Sequence, residues 1–116
     1  MTATAPKPPV PGSLFFDVDI RVGRVIEVSP HPAARVPAYI IRADFGPLGQ
    51  KTTSARATHY APDALVGRLL VGVVNIGTRR IGGITSEFLL LGAYGEDGTV
   101  RLLAPDPGAQ PGDPVG

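Results

Sequence analysis

The sequence has 116 residues, a length that allows one domain and is too short for two domains of ordinary size. Gly (15) and Pro (13) are about twice as frequent as usual, but 43% of the residues are hydrophobic, which excludes a largely disordered chain. The absence of Cys excludes disulfides and thiolate metal sites. With a formal net charge of +1, the chain lacks the large excess of basic residues that is typical of a nucleic-acid-binding domain.

Prolines are concentrated at the two ends of the chain. Eight of the 13 lie before residue 12 or after residue 104, so residues 1–12 are expected to be a flexible, proline-rich N-terminal tail. Residues 13–116 are expected to form one domain that ends in a short extension. No apolar run is long enough to span a membrane, and prolines follow Lys7 where a signal peptide would be apolar, so we expect a cytoplasmic protein without membrane insertion.

The domain is expected to open with one helical turn and a long strand. Ser13 is expected to cap a turn that continues to Asp17, because its hydroxyl can accept a hydrogen bond from an otherwise unpaired amide. A β-branched run then predicts a strand over residues 20–28. The alternation of apolar residues shifts phase around Gly23, as happens at a β-bulge or at a bend in a barrel strand.

A proline-rich loop separates this strand from a hairpin. The three prolines within residues 30–37 remove amide donors and exclude regular structure there. Strands are then expected over residues 38–45 and 51–57, with residues 46–49 forming the turn between them.

The second half of the domain is expected to hold one short helix and two or three strands. The helix is expected over residues 60–65, followed by a buried strand over residues 69–74. Residues 75–83 are expected to be a flexible, glycine-rich loop that carries two arginines. The last strands are expected over residues 88–91 and 99–103.

This order of elements predicts an all-β fold, a five-stranded OB-fold barrel. OB-folds are small Greek-key barrels, and a short helix between strands 3 and 4 plugs one end of the barrel. The expected architecture is therefore a five-stranded barrel with that helix and with short N- and C-terminal extensions. An SH3-like barrel is the main alternative, but it usually lacks a helix at this position.

The sequence offers little for catalysis or metal binding. His31 and His59 are the only histidines, and neither has a partner at helical spacing that would complete a metal face, so both are expected on the surface. Residues 77–82 have the spacing of a phosphate loop but are not followed by the required Lys and Ser or Thr. Neither Ser54 nor Ser86 lies in a nucleophile-elbow pattern. We therefore expect no catalytic residue, no metal and no cofactor.

Positive charge is concentrated in the middle of the chain. Between Arg21 and Arg80 there are nine basic residues and three acidic ones. Four of the arginines alternate with Val and Ile and are expected on the solvent face of strands, namely Arg21, Arg24, Arg42 and Arg68. Arg79 and Arg80 differ, because glycines in their loop would let a ligand approach the backbone. The seven aromatic residues lie mostly at core-like positions, which disfavours a base-stacking platform.

Motifs in several places carry a family resemblance. They are residues 19–23, His31 and Pro32 with Ala34, and a stretch over residues 72–86 that includes Asn75, Arg79 and Arg80. Together they resemble the tRNA-binding OB domain, which is found in methionyl- and phenylalanyl-tRNA synthetases and as free-standing dimers. The resemblance covers the chain from about Phe16 to Gly116.

A second set of motifs is similar to one branch of that family. These motifs look like those of the free-standing CsaA type, a dimeric chaperone implicated in bacterial protein export. They are residues 34–38, 51–55 and 73–75, and Ser86 with Glu87 before an apolar strand. Synthetase-type domains usually carry Ser-x-Gly-Met where this chain has residues 86–89, so only the serine is shared. The added carboxylate would repel phosphate unless Arg79 or Arg80 pairs with it.

The resemblance implies a homodimeric chaperone that binds unfolded or export-bound polypeptides in protein secretion, with no covalent chemistry. The alternative is a tRNA-binding protein that recognises the shape and phosphates of tRNA. Translocase components are further implied partners. Phe15 and Phe16, with the proline-rich C-terminal extension, are expected in the dimer contact, which would account for a charged fraction of only 18%. The residues expected to line the peptide- or tRNA-binding groove are Lys51, Arg56, Asn75, Arg79, Arg80, Ser86, Glu87 and Phe88.

Overall fold

The computed structural model describes residues 5–116, which form nine strands, the longest of them with 11 residues, and two single-turn helices. The helices are α1 (Ser13–Phe16) and α2 (Pro62–Leu65), and a 3₁₀ turn covers Gly46–Leu48. None of these helices is long and apolar enough to cross a membrane. The strands are β1 (Ile20–Pro30), β2 (Tyr39–Asp44), β3 (Gln50–Ala55), β4 (Leu69–Val73), β5 (Arg79–Ile81), β6 (Ile84–Ser86), β7 (Leu89–Leu90), β8 (Gly92–Tyr94) and β9 (Val100–Leu102).

Five of the strands form one curled antiparallel sheet in the order β3-β2-β1-β4-β7. Its two outer strands approach each other through Thr52 on β3 and Glu87, which lies just before β7. The Glu87 amide donates to the Thr52 carbonyl oxygen (2.7 Å), and the Thr52 amide donates to the Glu87 carboxylate (2.9 Å). The sheet is thereby nearly closed into a barrel, and α2 lies between β3 and β4 in the chain. The predicted all-β OB-fold is confirmed.

The core fills the inside of this barrel. Phe45, Ile41, Leu65 and Leu70 are its largest fully buried side chains. Leu65 comes from α2, so the helix contributes to the core as well as to the connection. The Phe45 ring meets the Phe88 ring edge to face at a centroid distance of 4.9 Å, an arrangement that aromatic pairs favour.

The irregularity in β1 is not where the sequence pattern suggested. The pairing of β1 with β2 shifts register between Val25 and Glu27, so the bulged residue is Ile26 rather than a residue at Gly23. Gly23 instead makes room for a core ring, because a Cβ built there would lie 2.9 Å from Cε1 of Phe45. The bulge bends β1, which helps this one strand to pair with β4 along its first half and with β2 along its second.

Two local predictions about the helices were wrong in detail. Ser13 is the first helical residue of α1 and not its cap, because the cap is Gly12 and makes no side-chain hydrogen bond. The Leu14 amide bonds instead to the carbonyl oxygen of Pro11 (3.0 Å). Helix α2 begins at Pro62, two residues later than expected, since a proline fits the first turn without losing a hydrogen bond.

The glycine-rich segment expected to be a loop contains a β-hairpin. Strands β5 and β6 pair from Arg79↔Ser86 to Ile81↔Ile84. Gly82 and Gly83 connect them with φ angles of +52° and +86°. Two consecutive positive φ angles are typical of a type I′ turn, whose twist matches that of the strands it joins. The two arginines therefore stand on an ordered strand and not on a flexible loop.

The C-terminal extension forms part of the barrel wall. The Val22 amide donates to the Asp113 carbonyl oxygen (2.9 Å), and the Val22 carbonyl oxygen accepts from the Gly112 amide (2.7 Å). Farther along the chain, the Val115 amide donates to the Ile20 carbonyl oxygen (2.8 Å). These bonds cover the edge of β1 that β2 leaves unpaired. At the other end of the chain, residues 1–4 of the expected N-terminal tail lie outside the described residues, and residues 5–11 are exposed and have no regular secondary structure.

Candidate binding groove

A continuous groove runs along one side of the barrel, past the end of β3 and the β5–β6 hairpin. Its larger part has a volume of about 610 Å³ and extends from β3 to β7, β8 and β9. Its smaller part, about 390 Å³, lies between β3, the hairpin and the loop after β1. We call the larger part the apolar end and the smaller part the arginine end. The two ends share Ser54, Ala55, Arg56, Arg79 and Ile81.

The apolar end exposes large hydrophobic side chains to solvent. Ile76 (57% exposed), Leu89 (49%) and Tyr94 (78%) all line it. Beneath them, Phe88 and Leu102 belong to the buried core. Exposed apolar area of this kind favours a partner that removes it from water, at about 25 cal/mol per Å² buried.

The arginine end carries four guanidinium groups and no acidic side chain among its lining residues. The described residues form salt bridges at Arg21 and Arg42, and none at the four arginines of this end. Of the four guanidinium groups, only that of Arg80 is hydrogen-bonded to the hairpin that carries it, donating to Thr85 Oγ1 (2.7 Å) and to the Gly83 carbonyl oxygen (2.9 Å). The arginine end is therefore electropositive. The four residues are Arg35, Arg56, Arg79 and Arg80, of which Arg80 makes the two hydrogen bonds.

His31 lies beneath the arginine end and not on the surface, so the prediction made for it was wrong. Its side chain is only 5% exposed. Nδ1 lies 2.7 Å from Ser54 Oγ, and Nε2 lies 3.0 Å from the Gly82 carbonyl oxygen. A carbonyl oxygen only accepts hydrogen bonds, so Nε2 carries a proton. His31 thus joins the loop after β1 to β3 and to the turn of the hairpin, whereas His59 is exposed as expected.

Some of the predicted groove residues line the groove. Arg56, Arg79, Ser86 and Phe88 line the apolar end, and Arg80 lines the arginine end. Ser86 is buried, with its hydroxyl 2.8 Å from Thr53 Oγ1, so it supports the wall from behind. Phe88 is 3% exposed and belongs to the core, so its contribution is to the floor of the groove.

Three other predicted residues lie outside the groove lining. Glu87 is hydrogen-bonded to the amide of Thr52 and forms no salt bridge with Arg79 or Arg80. Lys51 lies on β3 opposite Ala43, near the other end of the strand. The third, Asn75, holds the segment between α1 and β1 in place: its Oδ1 accepts from the Asp19 amide and its Nδ2 donates to the Asp17 carbonyl oxygen, both at 2.8 Å.

Several lining residues were not predicted from the sequence, among them Arg35, Ile76, Leu89 and Tyr94. Arg35 lies in the loop between prolines, where its charge was visible but its position beside the hairpin was not. Tyr94 follows an apolar run and resembles a core residue in the sequence, although it is among the most exposed hydrophobic residues. Its place at the end of the short strand β8 is what leaves the ring in solvent.

The lining of the groove consists mainly of arginine, small and apolar side chains. Among residues 5–116 there is no group of three or more His, Cys, Asp or Glu side chains that could hold a metal ion. The pKa of the Asp97 carboxyl is lowered, mainly by the hydrogen bond it accepts from the Thr99 amide (3.0 Å). Asp97 lies in the turn between β8 and β9, outside the groove lining. The arrangement is suited to binding by charge and apolar contact.

Sequence comparisons connect the chain to tRNA ligases. A family model with the description "Putative tRNA binding domain" matches residues 20–114. The methionine–tRNA ligases of Porphyromonas gingivalis and Thermotoga maritima are 38% and 37% identical to the chain over 101 residues. That alignment covers 87% of this chain but only 15% and 16% of the two ligases. The chain is therefore similar to one small part of each ligase.

Structural comparisons connect the chain to chaperones. The crystal structure of the CsaA chaperone protein from Picrophilus torridus has a TM-score of 0.89 and 40% identity, covering 93% of this chain and 100% of that one. The chaperone CsaA from Bacillus anthracis has a TM-score of 0.89 and 37% identity, covering 94% and 100%. Because the family model matches most of the chain and the CsaA structures share its fold, the chain belongs to the tRNA-binding-domain family and is similar within it to the CsaA chaperones.

Proposed function

We propose that the protein is a homodimeric, CsaA-like chaperone that binds unfolded or export-bound polypeptides reversibly in the cytoplasm and performs no covalent chemistry. The observation that carries the proposal is the apolar end of the groove, where Ile76, Leu89 and Tyr94 face solvent. An unfolded polypeptide offers apolar side chains that would cover them, and a phosphate backbone does not. The likeness to CsaA chaperones over nearly the whole chain supports the same function. In protein export, translocase components would be further partners.

A second apolar surface supports the homodimer. Phe15 and Phe16 are exposed on α1, with their rings 5.6 Å apart, and they border a depression that also includes Ile20 and Val115. A second copy that presents the same surface would cover these side chains through a two-fold contact. A dimer would carry two grooves, so a long flexible client could bind both and gain avidity.

The chaperone proposal is tested by suppression of aggregation. A chemically denatured enzyme is diluted into buffer with the protein, and light scattering is followed over time. The variant Leu89→Ala/Tyr94→Ala should lose most of the suppression, because it removes the exposed apolar contacts of the groove. The control is Leu48→Ala, which truncates a leucine that is 38% exposed but lies outside the groove. Equal suppression by the double variant and the wild-type protein contradicts the proposal.

The second candidate function is tRNA binding through the arginine end. The four arginines without acidic neighbours favour it, and so does membership of the tRNA-binding-domain family. Salt separates the two functions: affinity for tRNA should fall steeply as salt rises, whereas a polypeptide held by apolar contacts should lose little. The variant Arg79→Ala/Arg80→Ala should abolish tRNA binding. If it spares suppression of aggregation, the two activities use separable parts of the groove.

A further inference from the structure

We propose that the groove selects polypeptide segments in which acidic side chains lie close to apolar ones, and that it discriminates against basic segments. This inference rests on the proposed chaperone function and names the class of polypeptide it prefers. It arises from the two ends of the groove sharing Arg56 and Arg79. An extended chain that lies along both ends of the groove would therefore contact the exposed apolar side chains and also these two guanidinium groups.

Arg56 and Arg79 differ from four arginines outside the groove, because their side chains have no hydrogen-bond or ion-pair partner among residues 5–116. On the sheet, Arg21 is bound to Asp19 (2.6 Å) and Arg42 to Glu27 (3.0 Å). Arg24 and Arg68 donate to backbone carbonyl oxygens. In the part of the chain that the structure describes, neither Arg56 nor Arg79 makes a salt bridge or a side-chain hydrogen bond. Outside the groove, Arg21 and Arg42 are thus neutralised by carboxylates and the side chains of Arg24 and Arg68 are held by backbone carbonyls, whereas the two guanidinium groups in the groove remain available to a ligand.

The acidic residue nearest in sequence to the groove wall does not compete for these arginines. The Glu87 carboxylate accepts the Thr52 amide across the closure of the barrel. A carboxylate of a bound polypeptide could therefore form ion pairs with Arg56 and Arg79, because none of the acidic residues that the structure describes lines either end of the groove and competes for them. Guanidinium groups suit this task, because their planar donors match a carboxylate in bidentate geometry.

The apolar end favours a polypeptide over a nucleic acid as the occupant. Ile76, Leu89 and Leu90 are aliphatic and offer no surface for base stacking. Among residues 5–116, Tyr94 is the single exposed aromatic ring that lines this end, whereas a stacking platform uses several rings for successive bases. A phosphate backbone would satisfy the arginines but would leave these side chains in water. A polypeptide with alternating acidic and apolar residues satisfies both ends at once.

Three labelled 12-residue peptides test the inference. They share the same Leu and Phe residues, and the intervening positions are all Glu, all Gln or all Lys. Fluorescence anisotropy at low and at high salt gives the affinity of the full chain for each peptide. The Glu peptide should bind about tenfold more tightly than the Gln peptide at low salt, the size expected for two partly exposed ion pairs, and the Lys peptide more weakly than either. The Glu preference should shrink as salt rises.

Variants identify the residues responsible. Arg56→Gln/Arg79→Gln should reduce the ratio of Glu-peptide affinity to Gln-peptide affinity from about tenfold to about one. Arg101→Gln is the control, because Arg101 is exposed on β9 outside the groove lining. Equal binding of the three peptides, or tighter binding of the Lys peptide, overturns the inference and leaves the chaperone function standing. If no peptide binds and tRNA does, the occupant is RNA, and both the inference and the chaperone proposal fail.

Discussion

The Nε2 atom of His31 donates a hydrogen bond to the backbone carbonyl oxygen of Gly82, 51 residues further along the chain, at 3.0 Å. The opposite ring nitrogen of this buried histidine lies 2.7 Å from the hydroxyl oxygen of Ser54 on β3. One imidazole therefore connects three separate parts of the arginine end. The relative positions of Arg35 on the loop and Arg80 on the hairpin depend on this connection.

Replacing His31 with Ala should lower the free energy of unfolding by about 1–3 kcal/mol, because both hydrogen bonds of this buried side chain are lost together with its packing. Chemical denaturation with urea measures this change. Replacing the exposed His59 with Ala is the control and should change stability by less than about 0.5 kcal/mol. Equal effects of the two substitutions would show that the His31 contacts contribute nothing.

The turn of the hairpin provides a second test of the same connection. Gly82→Ala places a Cβ 2.7 Å from His31 Nε2 and 2.8 Å from the Ala33 carbonyl oxygen, at a φ of +52°. Gly83→Ala also imposes a positive φ, +86°, but its Cβ meets no atom within 4 Å. Both variants should be destabilised by the backbone strain, about 1 kcal/mol, and Gly82→Ala by a further 1 kcal/mol or more from the clash. Gly82→Ala should also weaken ligand binding at the arginine end. A Gly83→Ala variant as damaging as Gly82→Ala would contradict the role of the close packing.

The closure of the barrel predicts a difference between two substitutions at Glu87. Glu87→Gln keeps a side-chain oxygen that can accept the Thr52 amide, and Glu87→Ala removes it. We expect Glu87→Ala to lower stability by about 1–2 kcal/mol and Glu87→Gln by clearly less, as measured by urea denaturation. Peptide affinity should be similar in Glu87→Gln and in the wild-type protein, since the carboxylate does not line the groove. A large loss of peptide binding in Glu87→Gln would instead assign this residue to the binding surface.

The fold was predictable from the sequence because its signals are local. Runs of β-branched residues located the long strands β1, β2 and β4, and the 3₁₀ turn at Gly46–Leu48 fell where glycine and proline indicated a hairpin. The hairpin of β5 and β6 was missed because its strands have three residues each, too few for an alternating pattern.

The site was only partly predictable because it depends on contacts between distant residues. The sequence marked Arg79 and Arg80 as unusual, but not that Arg35 would lie on the opposite wall. The carboxylate of Glu87 was expected near ligand, and its bond to Thr52 spans 35 positions that no local pattern reveals. The exposure of Tyr94 likewise follows from its position at the end of β8, in a two-stranded sheet with β9, rather than from its neighbours in the sequence.

The N-terminal helix provides the last prediction, which concerns the dimer. The Phe16 ring is 82% exposed on α1, beside the depression that includes Ile20 and Val115. Phe16→Ser should therefore convert a dimer into a monomer without unfolding the barrel, because the ring contributes to the surface contact and not to the core. Light scattering should give about twice 12.0 kDa for the wild-type protein and 12.0 kDa for the variant, with unchanged circular dichroism. Leu48→Ser is the control and should remain dimeric, since Leu48 lies in the turn between β2 and β3 and outside that depression. A wild-type mass of 12.0 kDa at micromolar concentration would exclude the dimer and, with it, the avidity expected from two grooves.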